Sequence, residues 1–216
     1  QLETVVDRAF NVAMSEPQGP VYLTLPREVL AEGIERFEYE SPTRRVAPAG
    51  SQPAPAALDE AAAIIAAAEN PMIITTSAGR TEACVAALGA LAESCAIPVI
   101  QYRPRNLCLP SDHPMSVGYE PGPLMKEADM ILVIDAMVPW LPARTSPADG
   151  ARIIHLAADP QFSKLPIRGF PCDLALAGSI APSLAALTEA LASRQKSAAG
   201  RIDARRRKFA AVQQER

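Results

Sequence analysis

The chain has 216 residues, 49% of them apolar and 21% charged, which fits a soluble globular chain with room for one full domain and flanking pieces and excludes global disorder. A net charge of −3 gives no sequence-wide attraction to nucleic acid or to an anionic membrane, and no apolar run is long enough to span a bilayer. The expected compartment is the cytoplasm, because no signal-peptide pattern opens the chain and Cys84, Cys95, Cys108 and Cys172 are too widely spaced for a zinc site or a disulfide framework.

In chain order, Leu2, Val5, Val6, Ala9, Phe10 and Ala13 repeat as one face of a helix, which Ser15 to Pro20 terminates. Val21 to Leu25 reads as a strand ended by Pro26. This pair is too small to make a core, so residues 1–27 must lean on something else, and an exposed apolar face there predicts self-association. From residue 28 to 55 the periodicity fades while Pro42, Pro48, Pro53 and Pro55 accumulate, the composition of a linker.

A regular order then begins. Helices are predicted over Ala56 to Ala68, Thr81 to Cys95, near Leu124 and over Ala181 to Ala192. Strands are predicted over Pro71 to Thr75, Pro98 to Tyr102, Met130 to Ile134, Arg152 to Leu156 and Asp173 to Ala177, with a long loop after the second. Met130 to Ile134 and Ile153 to Leu156 are continuously apolar, as burial on both faces requires, so they are placed centrally. The alternation implies an α/β fold: an open, mostly parallel sheet with helices on both faces, Rossmann-like, over residues 56–194. Residues 195–216 read as a linker helix carrying the basic run Arg205 to Lys208, whose plain reading is a solvated face and whose alternative is an anionic contact.

Candidate chemistry is sparse. The only histidines are His113, read as a turn residue, and His155, read as a core or strand-end residue, so neither a nucleophilic triad nor metal-ligand spacing is apparent. In open parallel sheets ligands collect beyond the carboxyl ends of strands, which directs attention to four loops. Ser77 and Gly79 lie in Ser77-Ala78-Gly79-Arg80, a turn with one glycine where a dinucleotide fingerprint has three. Tyr102 and Arg103 open a loop whose arginines suit phosphates or a neighbouring acidic surface. Asp135, with Trp140 close behind, could serve a hydroxyl and a ring, and Asp159 could accept ribose hydroxyls; simple turn and packing roles compete in each case.

Seven phrases occur in the order of one known family: Gly19-Pro20-Val21-Tyr22-Leu23-Thr24-Leu25-Pro26-Arg27-Glu28-Val29; Asn70-Pro71-Met72-Ile73-Ile74 with Gly79; Ala96-Ile97-Pro98-Val99; Pro110-Ser111-Asp112-His113-Pro114 with Gly118; Ala128-Asp129-Met130-Ile131-Leu132-Val133; Ile153-Ile154-His155-Leu156; and Asp159-Pro160. Over about residues 1–192 the chain resembles the acetolactate synthase-like thiamine-diphosphate enzymes. The resemblance implies the end of a pyrimidine-binding domain (1–27), a linker (28–55), the central domain (56–194) and a linker helix (195–216) toward a C-terminal domain. It further implies a homo-oligomeric transferase or lyase acting on 2-oxo acids, with thiamine diphosphate and Mg2+ held by N- and C-terminal domains absent from this fragment. The fragment itself is then a non-catalytic bracing piece with no cofactor of its own. Its candidate contact residues are Ser77, Gly79, Tyr102, Arg103, Gly118, Asp135 and Asp159. Where acetolactate synthases bind FAD the sequence departs from the pattern: Ser77-Ala78-Gly79 replaces a glycine-rich turn, Gln101-Tyr102-Arg103 a threonine-led loop, Asp135-Ala136 a Gly-Ala-Arg phrase, and Ala157 an acidic residue, all of which count against FAD. The competing reading is a self-contained FAD-, NAD- or ADP-binding module similar to those of electron-transfer flavoproteins or sirtuins.

Overall fold

The computed structural model describes residues 2–38 and 49–214, which form two compact units, residues 1–49 and 50–216. The predicted linker stretch 39–48, Gln1 and the last two residues of the predicted terminal helix lie outside the described residues.

The first unit holds α1 (Leu2–Met14) and the single turn α2 (Arg27–Leu30). The apolar stripe of α1 forms as its spacing predicts, yet Phe10 and Met14 remain about two-thirds exposed, at 66% and 65%. The strand predicted over Val21 to Leu25 does not form: the segment is extended, exposed and unpaired by any strand of the described sheet. Its side chains alternate as a strand's do, but strand structure requires a neighbouring backbone, and the described residues offer none.

The second unit is a six-stranded, wholly parallel sheet in the order β3-β2-β1-β4-β5-β6. Its strands are β1 (Pro71–Thr75), β2 (Val99–Gln101), β3 (Ser116–Gly118), β4 (Met130–Ile134), β5 (Arg152–Ala157) and β6 (Leu174–Ala177). Every residue of β1 and β4 is buried, and the two lie side by side from Pro71↔Met130 to Thr75↔Ile134 at the centre; of the two apolar runs expected there, Met130–Ile134 takes that place, while Ile153–Leu156 is buried in β5, beside the edge strand β6. β3 sits within the predicted long loop; at three residues it carries no periodicity a sequence could reveal. The helices are α3 (Pro55–Ala67), α4 (Glu82–Cys95), the short α5 (Gly122–Met125), α6 (Ile180–Ala192) and α7 (Gln195–Gln214). α6 packs against both α3 and α4, and these helices share one core with the sheet, Met125 and Trp140.

Local chemistry sets the element ends. Thr81 caps α4 by accepting the Cys84 N–H at 3.3 Å, and Ala96, left-handed at φ 49°, closes it while Ile97 N–H returns to the Ala92 carbonyl at 2.9 Å. The Asp129 carboxylate accepts Glu69 and Asn70 N–H at 2.7 and 2.9 Å, fixing the turn from α3 into β1. α7 runs beneath the amino ends of the strands, where its basic run does something neither sequence reading anticipated. Arg205, 7% exposed, donates to the carbonyls of Ala68, Glu69, Cys95 and Ala96 at 2.8–3.3 Å, and Arg201 to Ala66 at 2.6 Å. These carbonyls end α3 and α4, where unpaired acceptors and the negative pole of the helix dipole both favour a cation.

Candidate functional site

Strand order reverses at β1, so the crevice beyond the carboxyl ends of β1 and β4 is where an open parallel sheet of this kind places a ligand. Three loops meet there. The loop after β2 lies across the turn after β1: Thr76 Oγ1 donates to the Tyr102 carbonyl at 2.9 Å, and Arg105 N–H to the Thr76 carbonyl at 2.9 Å. Within that turn Ala78 N–H reaches the buried Thr75 Oγ1 at 3.2 Å. Gly79 is pressed against the backbone of Leu107 and Cys108 so closely that any Cβ would collide with the Leu107 carbonyl. The third loop begins at Asp135, left-handed at φ 43°, whose N–H is held by the Leu156 carbonyl at 2.9 Å and whose carboxylate accepts Arg80 Nε at 3.0 Å.

Of the predicted site residues, Ser77, Gly79, Tyr102, Arg103 and Asp135 therefore lie on three loops joined to one another at the carboxyl end of the sheet. Ser77 is buried in the first turn, and the buried Tyr102 ring carries the Arg103 guanidinium at 5.4 Å. Gly118 ends the edge strand β3 at φ 126°, a conformation that favours glycine. Asp159 is engaged locally, its carboxylate accepting Ser163 N–H and Oγ at 2.7 and 2.8 Å, as a turn-starting aspartate does. Trp140 is 2% exposed and meets Phe170 edge-on, ring centroids 5.2 Å apart, so its ring belongs to the core.

Two residues that the sequence did not single out as site residues organise these loops. Gln101, 2% exposed, donates to the Leu109 carbonyl at 2.9 Å and accepts Cys108 and Leu109 N–H at 3.0 and 3.2 Å, anchoring the far end of the loop that begins beside it. A buried primary amide at the end of an apolar strand was the available signal. Arg168 ties the loop after β4 to β5 and the segment beyond it: it donates to the Met137 and Ala136 carbonyls at 3.2 and 3.4 Å and to His155 Nδ1 at 3.2 Å, between the rings of Phe162 and Phe170. No local pattern marks an arginine for such contacts.

His155 is a core histidine, 1% exposed, with Nε2 donating to the Pro171 carbonyl at 3.1 Å while Nδ1 accepts from Arg168. Burial, and then the neighbouring Arg168 charge, lower its pKa from 6.5 to about 4. The unfolded chain therefore binds this proton more readily than the folded one, and the stability associated with the neutral ring is complete above pH 6.5 and lost as pH falls toward 4. The shift corresponds to about 3 kcal/mol. Urea midpoints measured between pH 4 and 7 should rise across that window, and the slope should flatten in His155→Leu.

The sequence profile of the thiamine pyrophosphate enzyme central domain matches residues 58–187. The chain belongs to this family. Among curated proteins, this central domain is 29% identical to oxalyl-CoA decarboxylase of Escherichia coli K12 over 186 residues, covering 82% of the chain and 32% of the relative. It is 34% identical to a probable 2-ketoarginine decarboxylase of Pseudomonas aeruginosa over 139 residues, 62% of the chain and 24% of the relative. Among solved structures, benzoylformate decarboxylase from Polynucleobacter necessarius superimposes with a TM-score of 0.64 at 25% identity, covering 87% of this chain and 36% of that one. The chain thus spans about a third of the length of such relatives. The α/β fold and the resemblance to thiamine-diphosphate enzymes both stand, and the reading as a self-contained nucleotide module is not favoured.

Among the described residues no group of three or more His, Cys, Asp or Glu could hold a metal ion. The carboxylates nearest the crevice are committed, Asp135 to Arg80 and Asp159 to Ser163. No helix of the described residues is long and apolar enough to cross a membrane.

Proposed function

We propose that this chain is the bracing central domain of a longer thiamine-diphosphate-dependent enzyme acting on 2-oxo acids, a decarboxylase or carboligase whose catalytic residues lie in flanking domains. The observation that carries this reading is that the loops at the carboxyl end of the sheet are bonded to one another by Thr76, Arg80 and Arg168, while Gln101 braces the loop after β2 from within. Bonds of this kind tie the loops to one another, which suits a part that fixes the distance between others. In the parent, thiamine diphosphate and Mg2+ are held by those flanking domains, in a homo-oligomer of the cytoplasm; the decarboxylase names of the relatives and the four unpaired cysteines support that setting.

Titration of this chain with thiamine diphosphate and Mg2+, followed by the fluorescence of Trp140, its only tryptophan, is expected to show no saturable change. Carbon dioxide release from pyruvate or benzoylformate should stay at background. Turnover by this chain alone would overturn the proposal.

A further inference from the structure

The crevice between β1 and β4 is the position at which a doubly wound sheet takes a nucleotide, with the pyrophosphate meeting backbone amides of the first turn. In this chain two components of such a site, the first turn and the arginine that closes it, have partners within the protein. The first turn is overlaid by the loop after β2, through Thr76 to Tyr102, Arg105 to Thr76 and the contact of Gly79 with the Leu107 backbone. The cation that could have met a phosphate, Arg80, is turned onto Asp135, and this pair bridges the ends of β1 and β4 at 3.0 Å. The carboxylate is the more enclosed partner, 14% exposed against 44% for Arg80.

Asp135 also occupies its position at some conformational cost. At φ 43° an aspartate is strained relative to glycine, and here its carboxylate is held by Arg80 from the turn after β1. A glycine there would relax the backbone, remove the carboxylate and release Arg80. We infer that the Arg80–Asp135 pair is a built-in substitute for a ligand: it closes the switch-point crevice and excludes nucleotides bearing a pyrophosphate, both by filling the space and by repelling their charge. The inference concerns only this crevice and is independent of whether the parent protein uses thiamine diphosphate, since neither the pair nor its test involves that cofactor.

The test is calorimetric titration of ADP and of FAD into the wild-type chain, Asp135→Gly and Asp135→Asn, at low ionic strength so that charge effects are not screened. The wild type should show no saturable heat up to millimolar nucleotide, while Asp135→Gly, with Arg80 released, should bind ADP at least about tenfold more tightly. Asp135→Asn keeps the side-chain shape and accepts the left-handed backbone, so it separates charge from volume and serves in place of the glycine variant if circular dichroism shows the latter to be unfolded. Binding by Asp135→Asn as well assigns the exclusion mainly to charge; binding by Asp135→Gly alone assigns it mainly to space. Saturable micromolar binding by the wild type would overturn the inference, and so would failure of both folded variants to bind.

Discussion

Replacing Arg205 with methionine should destabilise the second unit by about 2–4 kcal/mol, a fall in melting temperature on the order of 5–12 °C. The guanidinium supplies donors to four carbonyls belonging to the ends of two helices, Ala68 and Glu69 after α3, Cys95 and Ala96 at and after α4. Methionine keeps the aliphatic stem that packs near Ile65, Met72 and Phe209 but leaves those carbonyls facing an apolar group. Burial lowers the Arg205 pKa from its ordinary value, and its nearest compensation is backbone dipole, which makes geometry decisive. Arg205→Lys retains the charge but replaces a planar fork of donors with a point charge, so it should recover less than half of the loss. Thermal melts establish the size of the effect. Hydrogen exchange should localise it, with the amides of α7 losing protection before those of β1 and β4. A methionine variant with unchanged melting temperature would show that α7 is held by its apolar contacts alone.

The second large effect is expected at Gly79. Alanine at this position places a Cβ inside the contact radius of the Leu107 carbonyl and the Cys108 Cα, both of them backbone, so no side-chain rotation can relieve it. The loop after β2 must then lift from the turn after β1, breaking the Thr76–Tyr102 and Arg105–Thr76 hydrogen bonds, at a cost of about 3 kcal/mol. Gly79→Ala should lower the urea midpoint accordingly. It should also accelerate reaction of the Cys108 thiol, fully buried and with a pKa raised by burial, toward a disulfide reagent such as Ellman's. Wild-type reactivity at Cys108 in a destabilised Gly79→Ala would place the strain elsewhere.

The sheet was legible in the sequence because its central strands are buried on both faces and must therefore be written in uninterrupted apolar residues; β1, β4 and β5 announce themselves in this way. The strand expected over Val21 to Leu25 does not form, since an apolar pattern cannot supply the neighbouring backbone that a strand needs and the described residues offer none. β3 was hidden by its length. In the site, sequence position identified the four loops because each follows a strand, and Asp135 and Gly79 were picked out as departures from a pattern. The roles of Gln101, Arg168 and Arg205 could not be read in advance: each depends on carbonyls brought near by tertiary packing, and a long polar side chain carries no mark of which backbone it will reach. The basic run in α7 illustrates this most directly, since charge density suggested solvent or an anion and the structure turned Arg205, together with Arg201 one turn before the run, onto helix ends.

The strand order has a consequence for how such a chain is made. Synthesis delivers β1, β2 and β3 first, and these form one half of the sheet with a flank of β1 still unpaired until β4 arrives at Met130. α3 and α4 are present by then, but the helix that packs against both of them, α6, begins only at Ile180. A nascent chain halted between these points exposes the apolar flank of β1 and the shared face of two helices, the kind of surface on which chaperones act. Completion of this domain on the ribosome is therefore governed by its last stretch, from Ile180 onward, which also carries the arginine locking the underside of the sheet.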